Sequence, residues 1–242
     1  MYSKLLWSAL ILVAAAPSVS AQDAARIGTT ATATNDVQGR RGSVERPIKV
    51  GDGVFREEEI RTGQAARAQL LFRDETVLNI YPNSVVVLDK FVYDPDNKAG
   101  TMTLKAVTGT FRFVSGSAPS RNYKIDTVAG TIGVRGTDIT FKIDGTTLTL
   151  TLSAGTAAEL CATPTTCTSL TQVGTYIISR GGNTTSPQKV GDTSCGGRPC
   201  RGSPNDTSSL VREFISDVKN LPQLEGGPNR GPFSRPCRFF CN

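Results

Sequence analysis

Histidine, the side chain most often used as a general base, occurs nowhere in the 242 residues. Its absence removes Ser-His-Asp and Cys-His arrangements and histidine metal sites. Carboxylates, cysteines and one glycine-rich stretch remain. Glu57, Glu58 and Glu59 are consecutive. Residues alternate sides along a strand, so these three cannot share a face, and they read as a solvated edge. Asp94, Asp96 and Asn97 flank Pro95. They lack the glycine and distant glutamate of a calcium loop, so composition favours a plain turn. The stretch from Gly130 to Asp138, GTIGVRGTD, holds three glycines, an arginine and an aspartate. It fits neither the dinucleotide fingerprint nor the Walker pattern. Gly133 and Gly136 permit a bulge or a close backbone approach. Arg135 could pair with Asp138 or another carboxylate and fix a corner. Alternatively Arg135, Gly136, Thr137 and Asp138 are presented to a binding partner. No catalytic residue, metal site or cofactor is expected.

The six cysteines fall as three close pairs: Cys161 with Cys167, Cys195 with Cys200, and Cys237 with Cys241. Each pair flanks turn residues, so local disulfides are expected, in an oxidising compartment. Bridges that close such short loops pin those loops and do little for the whole domain.

The first 21 residues have the layout of a secretory signal peptide. Lys4 precedes an apolar run from Leu5 to Ala16, and Val19-Ser20-Ala21 is a small-residue cleavage pattern. The run is shorter than the about 20 residues a membrane span needs, and Pro17 interrupts it. Cleavage after Ala21 would leave a periplasmic or secreted chain with no transmembrane segment. Loss of Lys4 lowers the formal charge from +6 to +5. Residues 44–180 carry 15 Lys/Arg against 14 Asp/Glu. No basic stripe interleaves with aromatics, so nucleic acid is not an expected partner.

Residues 22–43 are small and polar and read as a flexible leader. From residue 44 to 180 short Val, Ile, Leu, Thr and Phe runs alternate with turns. Met102, Leu104 and Ala106 share one face of such a run, opposite Thr101, Thr103 and Lys105. Asp144-Gly145 is a two-residue hairpin signal. About twelve short strands at close spacing predict an all-β domain, a two-layer β-sandwich or a short β-solenoid. Residues 181–242 form a Gly/Pro/Cys-rich extension. Within it Leu210, Val211, Phe214, Ile215 and Val218 predict a short helix near 207–219.

Several of these segments resemble the FecR domain. The run from Val128 to Ile139, VAGTIGVRGTDI, resembles that family's late "hydrophobic–small–V-R-G-T–acidic/polar–hydrophobic" signature. Gly51-Asp52-Gly53 stands where the family has its G-x-x-L turn, and Ile60-Arg61-Thr62-Gly63 resembles its I-x-T-G step. Ala68 to Leu78, AQLLFRDETVL, resembles its A-x-L-x-F-x-D-G-S-x-L hairpin, with Glu75 in the place of the glycine. That exchange implies a different turn here. Tyr81-Pro82-Asn83-Ser84 and Thr108 to Phe113 also fall in register. The resemblance spans about residues 44–160 and implies an all-β extracytoplasmic domain used for interaction. Well-known members relay a receptor signal through a membrane helix to a sigma factor. This chain is expected to be a stand-alone exported member in a Gram-negative bacterium. Its expected role is a non-enzymatic interaction or signalling-accessory module whose partner is another envelope protein. The alternative is a module that binds cell-wall polymer or carbohydrate. The chain offers few aromatic platforms for that role, with one Trp and five Tyr.

Overall fold

The computed structural model describes residues 26–94, 99–117 and 123–190, together with the backbone of 194–195 and 198–199. Among these residues every regular element is a β-strand. No described helix is long and apolar enough to cross a membrane. The strands are β1 (Arg26–Thr34), β2 (Val37–Arg41), β3 (Val44–Pro47), β4 (Gly53–Phe55), β5 (Glu58–Thr62), β6 (Arg67–Phe72), β7 (Val77–Ile80), β8 (Val85–Asp94) and β9 (Ala99–Val114). They continue as β10 (Tyr123–Thr127), β11 (Gly130–Asp144), β12 (Thr147–Thr163), β13 (Thr166–Leu170), β14 (Thr175–Arg180), β15 (Asn183–Thr184) and β16 (Gln188–Lys189). These sixteen share one sheet, and a small ribbon of β17 (Ser194–Cys195) and β18 (Arg198–Pro199) stands apart.

The all-β class is as the sequence predicts, but the architecture differs from a sandwich or solenoid of short strands. It is one open sheet whose longest members, β9, β11 and β12, run for 16, 15 and 17 residues. Each of these joins segments that the sequence alone separates. The physical reason is glycine. Gly109, Gly136 and Gly155 hold φ of 104°, 59° and 98°, which bends a strand without ending its ladder. The first half of β9 pairs with β8 and, in parallel, with β10. Its second half pairs with β7 and β11. The sheet thereby curls over one core. Phe72 of β6 stacks on Phe91 of β8 at 5.9 Å although those strands are not neighbours. Phe111 and Phe141 stack at 5.1 Å across β9 and β11, and both are fully buried. Each such ring removed from water is worth roughly 1.5–3 kcal/mol.

The leader and the domain boundaries also need correction. Residues 26–41 are not flexible: β1 pairs with β4 and β6, and Ile27, Thr30 and Val37 are buried. The small residues that look like linker are what close packing requires. A Cβ on Gly28 would lie 2.6 Å from the Leu71 carbonyl oxygen. At the other end β15 and β16 pair with β14, so the sheet continues past residue 180. The expected signal peptide, the helix near 207–219 and the Pro95–Asn97 turn lie outside the described residues.

The hairpin expected at Asp144-Gly145 is present one residue on: Asp144 faces Thr147 across Gly145-Thr146. In the turn between β6 and β7, Glu75 stands in the place of the family's glycine. It holds φ of 69°, the left-handed conformation in which a glycine would sit without strain. Asp74 beside it is buried, and accepts hydrogen bonds from the Thr76 amide (3.1 Å), the Thr76 hydroxyl (2.8 Å) and the Tyr123 hydroxyl (2.8 Å). These bonds hold the turn in shape. Replacing Glu75 with glycine relieves the left-handed strain and should raise unfolding free energy by about 0.5–1 kcal/mol. Urea denaturation of Glu75→Gly against the parent checks this; an unchanged or lower midpoint contradicts it.

Candidate functional site

Strand β11 changes face within the VRGT segment. Ile132 and Val134 are buried, then Thr137, Ile139, Phe141 and Ile143. The step from even to odd positions contains the left-handed Gly136, and a one-residue shift against β12 follows between Asp138 and Ile139. The pairing with β12 keeps one register from Thr131 to Asp138, with Gly133 opposite Glu159, and the shift beyond it leaves Ser153 of β12 as the extra residue; Gly136 turns the β11 backbone without inserting one. Strand β12 makes room for it. A Cβ on Gly155 would lie 2.5 Å from the Gly136 carbonyl oxygen and from the Thr137 Cα.

The four candidate residues separate into two roles. Thr137 is buried. Its amide donates to the Ser115 hydroxyl at 2.8 Å, and its own hydroxyl donates to the Ala154 carbonyl. Asp138 does not pair with Arg135. It accepts from Arg112 of β9, with Nε at 3.0 and 3.1 Å and Nη2 at 2.6 Å. The register of β11 against β9 explains the exchange of partner. It sets Asp138 opposite Val114 on β9, two residues from Arg112 on the same face. The hydrogen bonds to Asp138 raise the Arg112 pKa above its ordinary value. Burial likewise pushes up the phenol of nearby Tyr81. Arg135 and Gly136 are exposed, and Arg135 forms no hydrogen bond or ion pair among the described residues.

Beside Arg135 the outer face of β11, β12 and β13 holds a shallow groove of about 270 Å³. Gly133 and Ala157 lie along its floor, and Arg135, Glu159 and Ser169 along its sides. Cys161 and Cys167, opposite each other on β12 and β13, are joined in a disulfide, as their spacing predicts. Glu159 lies close to both sulfurs, but oxidised sulfurs offer no thiolate to a metal. Cys200, Cys237 and Cys241 lie outside the described residues, as does the Cys195 side chain.

The acidic run near β5 departs from a solvated edge. Glu57 is exposed, but Glu58 is buried and accepts from Arg46 at 2.8 and 3.2 Å and from the Phe55 amide at 3.0 Å. Glu59 pairs with Arg40 at 3.1 Å and with Arg61. Burial alone would raise the Glu59 pKa, yet the two arginines outweigh it and hold the carboxyl below its usual range.

The match to known proteins agrees with the sheet and its corner. Residues 58–158 fit the family model described as FecR protein. The chain carries a FecR domain. That span includes β5 through most of β12 and the whole VRGT corner, as the sequence motifs imply. No curated protein sequence matches this chain. Two crystal structures of a candidate anti-sigma factor from Parabacteroides distasonis, at 1.65 and 2.50 Å resolution, are similar to it. They are 15% and 16% identical, with TM-scores of 0.42 and 0.41. Each match covers 54% of this chain and 59% of the other, so this FecR-domain protein spans about three-fifths of those chains.

The two arginines of the corner should behave differently. Arg112→Ala strips the charged partner from a mostly buried Asp138, and should cost about 2 kcal/mol of stability. Arg135→Ala removes an exposed, unpaired side chain and should stay within about 0.5 kcal/mol of the parent. Urea denaturation of both variants tests the assignment; equal losses would contradict it.

Proposed function

We propose that this FecR-domain chain is a non-enzymatic interaction module that serves signalling at the cell envelope, outside the cytoplasm, and that Arg135 lies on its contact surface. The observation that carries the reading is the division of labour at the VRGT corner. Thr137 and Asp138 are consumed by internal bonds, whereas Arg135 projects unpaired from the same strand. A charge exposed on a paired strand suits recognition, because the backbone that carries it is already ordered and only the side chain must be fixed on contact. The FecR match supports an interaction role. The Cys161–Cys167 disulfide and the signal-peptide pattern of the first 21 residues support an oxidising compartment. The partner is a second envelope protein, with arginine as an anchor of the kind interfaces favour.

Cross-linking of the chain from residue 22 onward in an envelope fraction tests this. One dominant protein should be captured, and Arg135→Glu should lose it while leaving the melting temperature unchanged. Capture of cell-wall polymer alone, or undiminished capture by Arg135→Glu, overturns the reading.

A further inference from the structure

Gly133 has no internal reason to be glycine. It sits inside β11, three residues from its start, where a glycine weakens a strand. Its φ is not positive, unlike those of Gly130 and Gly136 on the same strand. A Cβ built on it meets nothing within 4 Å, whereas one on Gly130 would lie 2.6 Å from the Cys161 carbonyl oxygen. The packing of the domain therefore accounts for Gly130 and leaves Gly133 unexplained. What the missing side chain does is leave open the floor of the groove beside Arg135.

The sides of that groove carry opposite charges. Arg135 faces Ala157, and Glu159 faces Gly133, so the two charged residues lie diagonally on adjacent strands. Both are exposed, yet they form no ion pair with each other. Glu159 has no cationic partner among the described residues and accepts only a long hydrogen bond, 3.4 Å, from Ser169. Elsewhere on this face the charges are already matched: Lys124 pairs with Asp126 at 3.1 Å. Diagonal neighbours on a sheet stand roughly 7–8 Å apart. Residues i and i+2 of an extended chain point the same way at roughly 6.5–7 Å.

We infer that the groove over Gly133 receives an extended segment of the partner protein that carries an acidic and a basic side chain two residues apart. The acid meets Arg135, the base meets Glu159, and the backbone between them lies over Gly133. This rests on the interaction reading above and adds the chemistry of the segment recognised.

The test uses the chain from residue 22 onward and four fluorescent octapeptides that share flanks and differ at the centre: Asp-Thr-Lys, Asp-Thr-Ala, Ala-Thr-Lys and Ala-Thr-Ala. Anisotropy titrations at low salt should place Asp-Thr-Lys at least tenfold tighter than Ala-Thr-Ala, with the single-charge peptides between. Gly133→Leu fills the groove. It should reduce Asp-Thr-Lys binding at least tenfold while the melting temperature holds or rises. Equal affinity for all four peptides, or unchanged binding by a folded Gly133→Leu, overturns the inference. Repeating the cross-linking with Gly133→Leu separates the two levels of the argument. Loss of the captured protein supports the groove. Retention overturns the groove and leaves the interaction reading standing. Absence of any captured protein from the parent overturns both.

Discussion

A strand can turn only alternate residues toward a core, and a strand long enough to serve two parts of one sheet must keep that alternation while changing direction. In β9, β11 and β12 left-handed glycines resolve this constraint. Gly109 sits where a Cβ would lie within 2.5 Å of the Ser84 Cα. Gly136 turns the chain where β11 passes from Val134 to Thr137 on the buried side. Gly155 gives up its side chain so that this turn can press against β12. Turn and opposing gap form one fitted unit, and the extra residue of β12, Ser153, lets the ladder resume at Ile139 and Leu152. Arg135 faces outward by simple alternation after the buried Val134, and the turn decides which residues beyond it face inward.

Buried carboxylates then fasten the curled sheet. Asp74 ties the β6–β7 turn to Tyr123 at the start of β10, and its carbonyl accepts from the Ser117 amide at 2.7 Å. Asp138 ties β11 to β9 through Arg112. Glu58 ties β5 to Arg46 on β3 and to the Phe55 amide on β4. Asp74 and Asp138 reach partners 49 and 26 residues away and Glu58 one 12 residues away, and each accepts more than one hydrogen bond. Leaving such a group unpaired would cost about 1–3 kcal/mol or more, so these bonds oppose sliding of one segment over another. Charge spent on holding the sheet is not available to a ligand. That separates Asp138 from Arg135 more firmly than their spacing of three residues suggests.

Much of this was legible from residue order, and the remainder was hidden for definite reasons. Alternating runs such as Thr101–Val107 disclose strands, and the VRGT motif marks the corner. The long strands were concealed because a glycine in sequence looks the same whether it ends a strand or bends it. Residues 26–41 were concealed because small polar side chains signal a linker when isolated and close packing when another strand lies alongside. Glu58 could have been found: it shares the alternation of Ile60 and Thr62, both buried, and so had to face inward. The Arg112–Asp138 pair could not, since its members are 26 residues apart and only the β9–β11 register brings them together.

The disulfide shows how local reinforcement can matter where global stabilisation is small. Closing a loop with a separation of six residues removes little freedom from the unfolded chain. Its position says more than its loop length. Cys161 and Cys167 face each other across β12 and β13, two residues from Glu159 and Ser169, which are paired in the same register and flank the groove. Among the described residues strand β13 has one backbone-paired neighbour, β12, and short edge pairings fray more readily than central ones. A covalent link at that point holds the Glu159–Ser169 pairing in register across β12 and β13. Arg135 and Glu159, which both line the groove, are thus carried by paired strands, one of which the disulfide ties to its edge neighbour.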